Sequence, residues 1–188
     1  MKSSGRGLAC LAGLLITVPL LALDGPNVVV NSGFNTDVSN WRPIVATPTW
    51  SNGAARLTVT NTPNGIVGDL RQCIAISGLT PGSKFRWGGK VFIPPGQAFQ
   101  GTGYMYLVWV RTVSSFGECD GHAQVDFGGA TTDVGQWVRI DAPEVTVPPG
   151  ATGAQISFNL QPSSPGNGTF SIEVDDAYLF ETGVTPSI

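Results

Sequence analysis

Few residues of this chain are of the types that catalyse reactions. His122 is the sole histidine among 188 residues. It stands in a Cys-Asp-Gly-His segment that we predict to be a loop, close to Ser114 and Ser115. A hydrolase triad needs a base held against a nucleophile and oriented by a third group, and no serine here is placed on the sharp turn of such a nucleophile. We therefore expect His122 to be an exposed loop residue.

The carboxylates give no catalytic pair either. Glycoside hydrolysis needs two facing carboxylates about 5–10 Å apart. Asp175 and Asp176 are sequential on a predicted strand, so they should point to opposite faces. The remaining candidates, which no motif pairs, are Glu118, Asp120, Asp126 and Glu144. The sequence thus predicts a protein that is not an enzyme, and a glycoside hydrolase is kept only as a distant alternative.

Composition excludes several classes of protein. Charged residues make up 12% and hydrophobic ones 41%, which is typical neither of a disordered chain nor of a coiled coil. Without Lys2 and Arg6 of the N-terminal segment, 8 Lys and Arg residues stand against 13 Asp and Glu, a net charge of −5. A generic nucleic-acid binder would be basic, so we expect no nucleic-acid partner.

The N-terminal residues 1–22 have the layout of a secretory signal peptide. Lys2 and Arg6 precede the apolar stretch LACLAGLLITVPLLAL, and Ala22 near its end offers a small residue for cleavage. The alternative is a retained membrane anchor, but Pro19 interrupts the run, which is short for a membrane span. We expect residues 23–188 to form one domain that is secreted and has no membrane contact after cleavage.

Two cysteines, Cys73 and Cys119, remain after export. An even number of cysteines in an oxidising compartment favours a disulfide. Two separate free cysteines are the alternative, because sequence does not show whether the two Cα atoms come close enough to be bridged.

The chain after residue 24 consists of short β-type runs separated by Gly, Pro, Asn and Ser. Regular short strands with such turn clusters predict an all-β fold, namely a two-sheet antiparallel β-sandwich. The predicted strands are NVVVN, ARLTVT, LRQCIAI, KFRWGGKVFI, GYMYLVWVRTV, AQVDF, WVRIDAPEVTV, AQISFNL and FSIEVDDAYLF. Alternation predicts the core rows Phe85, Trp87, Gly89, Val91 and Ile93; Ile156, Phe158 and Leu160; and Phe170, Ile172 and Val174.

Three segments, in order, resemble one family. They are NSGFNTDVSNW, DLRQCIAISGLTPGSKFRWGGKVFIP, and the pair VPPGATGAQISFNL and FSIEVDDAYLF. Over residues 27–181 the chain resembles the galactose-binding-like jelly rolls that serve as carbohydrate-binding modules beside cellulases and xylanases. The resemblance implies jelly-roll topology, a concave sheet that holds a polysaccharide or oligosaccharide, and in many members a structural calcium.

The resemblance also implies residues for that calcium. It places the Asp175 carboxylate and the backbone carbonyls of Gly33 and Gly53 among the ligands. Asn35 stands at a position where members of the family often have an acidic residue that contributes to calcium binding. Calcium binds 6–8 oxygens of these kinds. The alternative is that Asp175 and Asp176 end a strand and accept backbone hydrogen bonds.

For the glycan, the resemblance aligns the family's binding amides with Gln72, Gln155 and Asn159, and the adjacent strand supplies Trp109 and Arg111. A second outward row holds Lys90 and Phe92. Alternatively these polar residues are a solvated face and Trp109 fills the core, since large aromatic side chains are mostly buried. Gln72 shares its parity with apolar neighbours, so either the strand bulges near Cys73 or Gln72 bonds internally.

Two hypotheses of function follow. The first is a secreted, non-catalytic carbohydrate-binding protein that holds a glycan chain on a concave β-sheet. The alternative is a structural or adhesive extracellular sandwich that self-assembles as part of a cell-surface structure.

Overall fold

A computed structural model describes residues 24–62, 67–115, 117–163 and 166–184. Within these residues the chain forms β-strands and turns, with no helix. Accordingly, none of this described part is a helix of the length and apolarity that a membrane crossing requires. The predicted signal segment, residues 1–22, lies outside the described residues.

The strands form two sheets, and every strand pair is antiparallel. One sheet has five strands in the order β1-β4-β10-β6-β7, and the other has the order β2-β3-β11-β5-β8 with β9 also paired to β5. The strands are β1 Arg42–Ile44, β2 Thr47–Ser51, β3 Ala54–Thr62, β4 Gly68–Ala75, β5 Lys84–Phe92, β6 Gly101–Val113, β7 Cys119–Thr131, β8 Trp137–Asp141, β9 Val145–Thr146, β10 Gly153–Pro162 and β11 Gly166–Glu181.

The chain crosses repeatedly between the sheets, so that the central strands β10 and β11 come from the end of the sequence. This arrangement confirms the predicted all-β, two-sheet antiparallel sandwich with jelly-roll topology. We call the two layers the five-stranded sheet and the six-stranded sheet.

The core lies between the sheets and is built from the alternating apolar rows. Phe158, Phe170 and Trp87 are completely buried there, and the predicted rows on β5, β10 and β11 all face this layer. Burying one large apolar side chain contributes about 1.5–3 kcal/mol. These rows therefore fix which side of each strand faces outward.

The predicted strand NVVVN does not form. The Asn27 side chain occupies the place of a strand partner instead: its Oδ1 accepts the N–H groups of Val29 (3.1 Å) and Leu179 (3.0 Å), and its Nδ2 donates to the Ala177 carbonyl (3.0 Å). The long predicted strand at 137–147 divides into β8 and β9 around Pro143, which has no N–H to donate.

A disulfide joins Cys73 on β4 to Cys119 at the start of β7, with Cα atoms 5.6 Å apart; the predicted pairing is confirmed. In the sheet, β4 and β7 are separated by β10 and β6. Because neighbouring strands lie about 4.8 Å apart, residues 117–119 must cross over the end of the sheet to reach Cys73. We call residues 117–119 the strap.

Removal of the disulfide should destabilise the fold. For a sequence separation of 46 residues, the loss of loop-closure entropy in the unfolded chain is about 4 kcal/mol. We expect the Cys73→Ser/Cys119→Ser double variant to lose roughly this free energy of unfolding in urea titrations, relative to the oxidised protein. The unsubstituted protein in reductant is the control, and it should match the variant. Equal stability of all three forms would contradict the prediction.

Candidate functional site

The central strand of the five-stranded sheet presents a polar row on its outer side. Gln155, Ser157 and Asn159 alternate with the core residues Ile156 and Phe158. The three polar residues are only 8%, 3% and 5% exposed, although they point away from the core. Side chains on neighbouring strands must therefore enclose them, so the middle of this outer side is recessed.

Aromatic rings form one flank of this recess. Tyr106 on β6 pairs with Ser157 on one side and with Phe127 of β7 on the other. The Tyr106 ring centroid lies 5.4 Å from that of Tyr104 and 5.5 Å from that of Phe127. Phe127 is 54% exposed, which is unusual for so large an apolar ring. The three rings make a continuous aromatic surface that a ligand can reach.

Charged residues form the opposite flank. Asp69 and Arg71 on β4 pair with Asn159 and Ser157 of β10. The Asp69 Oδ1 atom is buried and accepts no hydrogen bond; the Arg71 Nε atom lies 3.8 Å from it. Burial raises the pKa of the Asp69 carboxyl, and the Arg71 charge offsets this only in part. Burial also raises the pKa of Tyr104, which lies in the field of Tyr106 and Asp69.

We call this surface the recessed face. Its members are Asp69, Arg71, Tyr104, Tyr106, Phe127, Gln155, Ser157 and Asn159. A cavity of about 720 Å³ adjoins it at the strap, lined by Arg71, Gln155 and both cysteines among others. An ion pair between Arg42 of β1 and Glu118 of the strap spans this cavity.

Of the residues predicted to bind a glycan, Gln155 and Asn159 lie together on the recessed face, and Trp109 does not. Trp109 is completely buried in the core, where its ring packs edge-on against Phe85 at 5.4 Å. The prediction of an outward Trp109 is therefore wrong, and the alternative that it fills the core is correct. The outward row of β6 is instead the one that contains Tyr104 and Tyr106.

Gln72 and Arg111 are also not on the recessed face. Gln72 is buried, and its amide donates to the Val30 carbonyl and accepts the Val30 N–H, both at 2.8 Å; it is the internal hydrogen-bonding residue of the alternative interpretation. Arg111 is exposed beside Gly121 near the end of β6. Lys90 and Phe92 belong to the six-stranded sheet and are thus on the far side of the molecule.

Sequence reasoning missed six members of the face, namely Asp69, Arg71, Tyr104, Tyr106, Phe127 and Ser157. One signal could have revealed the tyrosines. Met105 and Leu107 share the parity of Trp109, and three large apolar side chains on one side of a strand indicate its core face.

Asp175, the carboxylate predicted to bind calcium, lies at a bulge in β11. The register shifts between Asp175 and Tyr178, and Asp176 has a positive φ of 48°. The Asp175 Oδ1 atom is buried without a partner, and this burial raises the pKa of its carboxyl. Gly33 lies near Asn35 and Asp176. The Asp176 carboxylate is paired with the Lys90 ammonium at 2.5 Å.

An unpartnered, buried carboxylate oxygen fits a bound cation. Asp175 would supply the charge, and the carbonyl of Gly33 and the amide of Asn35 are oxygen donors of the kind calcium uses. Gly53 stands at the β2–β3 turn, where a Cβ would meet nothing within 4 Å. Within the described residues, no group of three or more His, Cys, Asp or Glu side chains gathers as a metal site.

Comparisons with known proteins agree on the fold. No protein-family model and no curated protein matches the sequence. Among solved structures, TmCBM61 in complex with β-1,4-galactotriose has a TM-score of 0.50 at 17% identity, with 83% of this chain and 99% of that chain covered. The CBM22-1-GH10 modules of Clostridium thermocellum xylanase 10B, complexed with xylohexaose, give a TM-score of 0.52 at 16% identity, with coverage of 88% and 30%.

A further similar structure is the enzymatically active domain of tailspike protein 4 from bacteriophage CBA120. Its TM-score is 0.53 at 21% identity, and the alignment covers 82% of this chain. The chain spans about a fifth of that tailspike domain, 21% of its length. The similar structures are mostly carbohydrate-binding modules, so this chain has the jelly-roll β-sandwich fold of carbohydrate-binding modules. At these identities the likeness is one of fold.

The buried carboxylate on the recessed face should lower the stability of the ligand-free protein. A carboxyl whose pKa is higher in the folded than in the unfolded state loses folding free energy as the pH rises between those two values, and the loss persists above them. Asp69 is such a group. We expect Asp69→Asn to raise the melting temperature at pH 7, with a gain that shrinks as the pH falls below the raised pKa.

Asp141→Asn is the matched control with the opposite sign. Hydrogen bonds from Tyr178 and Arg139 lower the pKa of Asp141, so its ionised form stabilises the fold above the usual carboxyl pKa and the benefit is lost in acid. That variant should melt at a lower temperature at pH 7. A lower melting temperature for Asp69→Asn at pH 7 would contradict the assignment.

Proposed function

We propose that this chain is a secreted, non-catalytic carbohydrate-binding protein, and that a polysaccharide or oligosaccharide lies on the recessed face. The observation that carries the proposal is the juxtaposition of an accessible aromatic surface with a buried carboxylate oxygen that accepts no hydrogen bond from the protein. The rings of Tyr106 and Phe127 lie on one side of the polar row of β10, and Asp69 lies on the other.

The two flanks suit the two kinds of surface that a sugar ring presents. The C–H faces of a pyranose are apolar, so they stack on exposed aromatic rings and remove apolar area from water. Hydroxyl groups at the ring edge both donate and accept hydrogen bonds. Asn159 and Gln155 offer amides to them, and the Arg71 guanidinium offers donors.

Asp69 further favours a sugar as the ligand. An unmade hydrogen bond at a buried polar atom costs roughly 1–3 kcal/mol. A hydroxyl group of a bound sugar would supply the donor that the Asp69 Oδ1 atom lacks in the protein alone. A ligand rich in hydroxyl groups is therefore favoured over an apolar one.

The absence of a catalytic pair on this face supports a binding role. The recessed face as defined contributes one carboxylate, Asp69, whereas glycoside hydrolysis requires two. His122 is exposed on β7. Asp126 is held by two hydrogen bonds from the Gln124 amide, at 2.8 and 2.9 Å.

Secretion is supported by two separate features. The N-terminal residues have the layout of a signal peptide, and the domain contains the Cys73–Cys119 disulfide. Disulfides persist in oxidising compartments outside the cytosol.

Loss of the aromatic surface should weaken glycan binding. We expect Tyr106→Ala and Phe127→Ala each to raise the Kd about tenfold, since roughly 1.4 kcal/mol corresponds to a factor of ten and an aromatic contact contributes about this much. The measurement is isothermal titration with β-1,4-galactotriose, xylohexaose and a panel of neutral β-linked polysaccharides.

Trp137→Ala is the control for that titration. Trp137 is also a half-exposed aromatic residue, but it lies on the six-stranded sheet against Phe92, and its loss should leave the Kd unchanged. Failure of the whole panel to bind the unsubstituted protein would overturn the proposed function, as would an equal loss in Trp137→Ala.

A structural calcium at Asp175 is part of the proposal. The ion would pair with the partnerless carboxylate oxygen and tie β11 to the segment at Gly33, which is a stabilising role without chemistry. We expect calcium at 100 times its Kd to add about 2.7 kcal/mol of stability, seen as a melting temperature that EDTA lowers and calcium restores.

Two variants test the calcium assignment. Asp175→Asn should abolish the response of the melting temperature to calcium, whereas Asp37→Asn, which removes an exposed carboxylate of the N-terminal segment, should retain it. A melting temperature that EDTA does not change in the unsubstituted protein would remove calcium from the proposal.

A further inference from the structure

A second aromatic surface lies on the opposite side of the molecule, on the outside of the six-stranded sheet. After the bulge in β11, Tyr178 and Phe180 both point outward, with ring centroids 5.5 Å apart and planes within 26° of parallel. The two rings thus form an apolar patch that is separate from the recessed face.

The protein holds this patch in a fixed position. A Cβ at Gly88 would come within 2.7 Å of the Tyr178 hydroxyl oxygen. The glycine therefore leaves room for the Tyr178 ring to pack over β5. The Tyr178 hydroxyl then donates to Asp141 Oδ1 on β8 at 2.6 Å. Together with burial, this hydrogen bond raises the pKa of Tyr178 to about 12, so the hydroxyl stays a donor. The Arg139 guanidinium donates to the same oxygen at 2.6 Å and lies 5.3 Å from the Tyr178 ring centre.

A hollow of about 390 Å³ opens beside the rings. Its lining residues are Arg86, Arg139, Asp141, Ala142, Glu144, Tyr178 and Phe180. An apolar platform at the base of a hollow with a few polar groups around it is the common form of a small-ligand site.

The charges around the hollow leave one cation, Arg86, without an ion pair of its own among the described residues. Lys84 and Thr182 lower the pKa of the Glu144 carboxyl, and the Arg86 charge adds to this effect. Arg139 is paired with Asp141, and Glu144 is paired with the Lys84 ammonium at 2.8 Å and accepts the Thr182 hydroxyl at 3.1 Å. Arg86 is exposed opposite Phe180, and within the described residues it makes no hydrogen bond or ion pair. A guanidinium binds carboxylate and sulfate oxygens through two parallel N–H groups.

We propose that this hollow is a second ligand site that takes an anionic sugar unit, a pyranose bearing a carboxylate or a sulfate group. The sugar stacks on Phe180 and Tyr178, and its anionic group pairs with Arg86. The site is independent of the recessed face, since the two are on opposite sheets and share no residue. A protein with both sites binds two stretches of glycan at once and can hold them together.

The test is titration of the mature protein with trigalacturonate and with a sulfated galactan trisaccharide, with neutral β-1,4-galactotriose as the matched ligand. We expect one or both anionic trisaccharides to bind, and their affinity to fall as NaCl is raised, because salt screens the Arg86 contact. Arg86→Gln and Phe180→Ala should each weaken this binding tenfold or more, and the arm that responds identifies the anionic group.

Two further variants locate the binding. Arg56→Gln removes the same charge from the same sheet, at a position where Arg56 is paired with Glu173 at 2.6 Å. The Arg56→Gln variant should bind the anionic ligand as tightly as the unsubstituted protein does. Tyr106→Ala on the recessed face should also retain it. Arg86 is exposed and, within the described residues, makes no hydrogen bond or ion pair that its replacement would break, so Arg86→Gln should keep a melting temperature close to that of the unsubstituted protein. The second site would be overturned if neither anionic ligand bound. It would also be overturned if Arg56→Gln weakened the binding as much as Arg86→Gln does, or if Arg86→Gln left the binding unchanged.

Discussion

The fold and both proposed sites depend on the two-residue period of the β-strand. A strand that fills the core with every second residue must turn the residues between them outward. On β10, the buried Ile156 and Phe158 leave no choice about where Ser157 points. The cross-strand register then sets Arg71 and Tyr106 on either side of Ser157. Core packing therefore places a charged flank and an aromatic flank across a polar row, with no loop needed to assemble them.

The sequence was informative where one row of a strand is apolar and the other polar, as on β10 and β11. There the core rows and the shared face of Gln155 and Asn159 followed directly. It was not informative on β6, because both rows of that strand carry large apolar residues, and the choice between Tyr106 and Trp109 depends on the pairing with β10. Asp69 was missed for a related reason. Its significance is that its buried Oδ1 atom accepts no hydrogen bond, and only the surrounding strands reveal this.

The recessed face is costly to maintain without a ligand. Asp69 loses hydration and gains no hydrogen bond at Oδ1, and Phe127 keeps a large apolar ring in water. Natural proteins commonly carry such locally unfavourable groups at functional sites and compensate elsewhere. Here the compensation lies in a core whose fully buried aromatic residues, among those described, are Phe34, Phe85, Trp87, Trp109, Phe158 and Phe170.

The strap borders the recessed face, and a covalent bond as well as non-covalent contacts holds it in place. Its Cys119 is bonded to Cys73, and its Glu118 is paired with Arg42, so one covalent link and one ion pair hold the rim of the adjoining cavity. Thiols stay reduced in the cytosol and are oxidised after export. Under the secretion that we propose, the covalent link would form only after export, so the rim of this cavity would be closed covalently outside the cell.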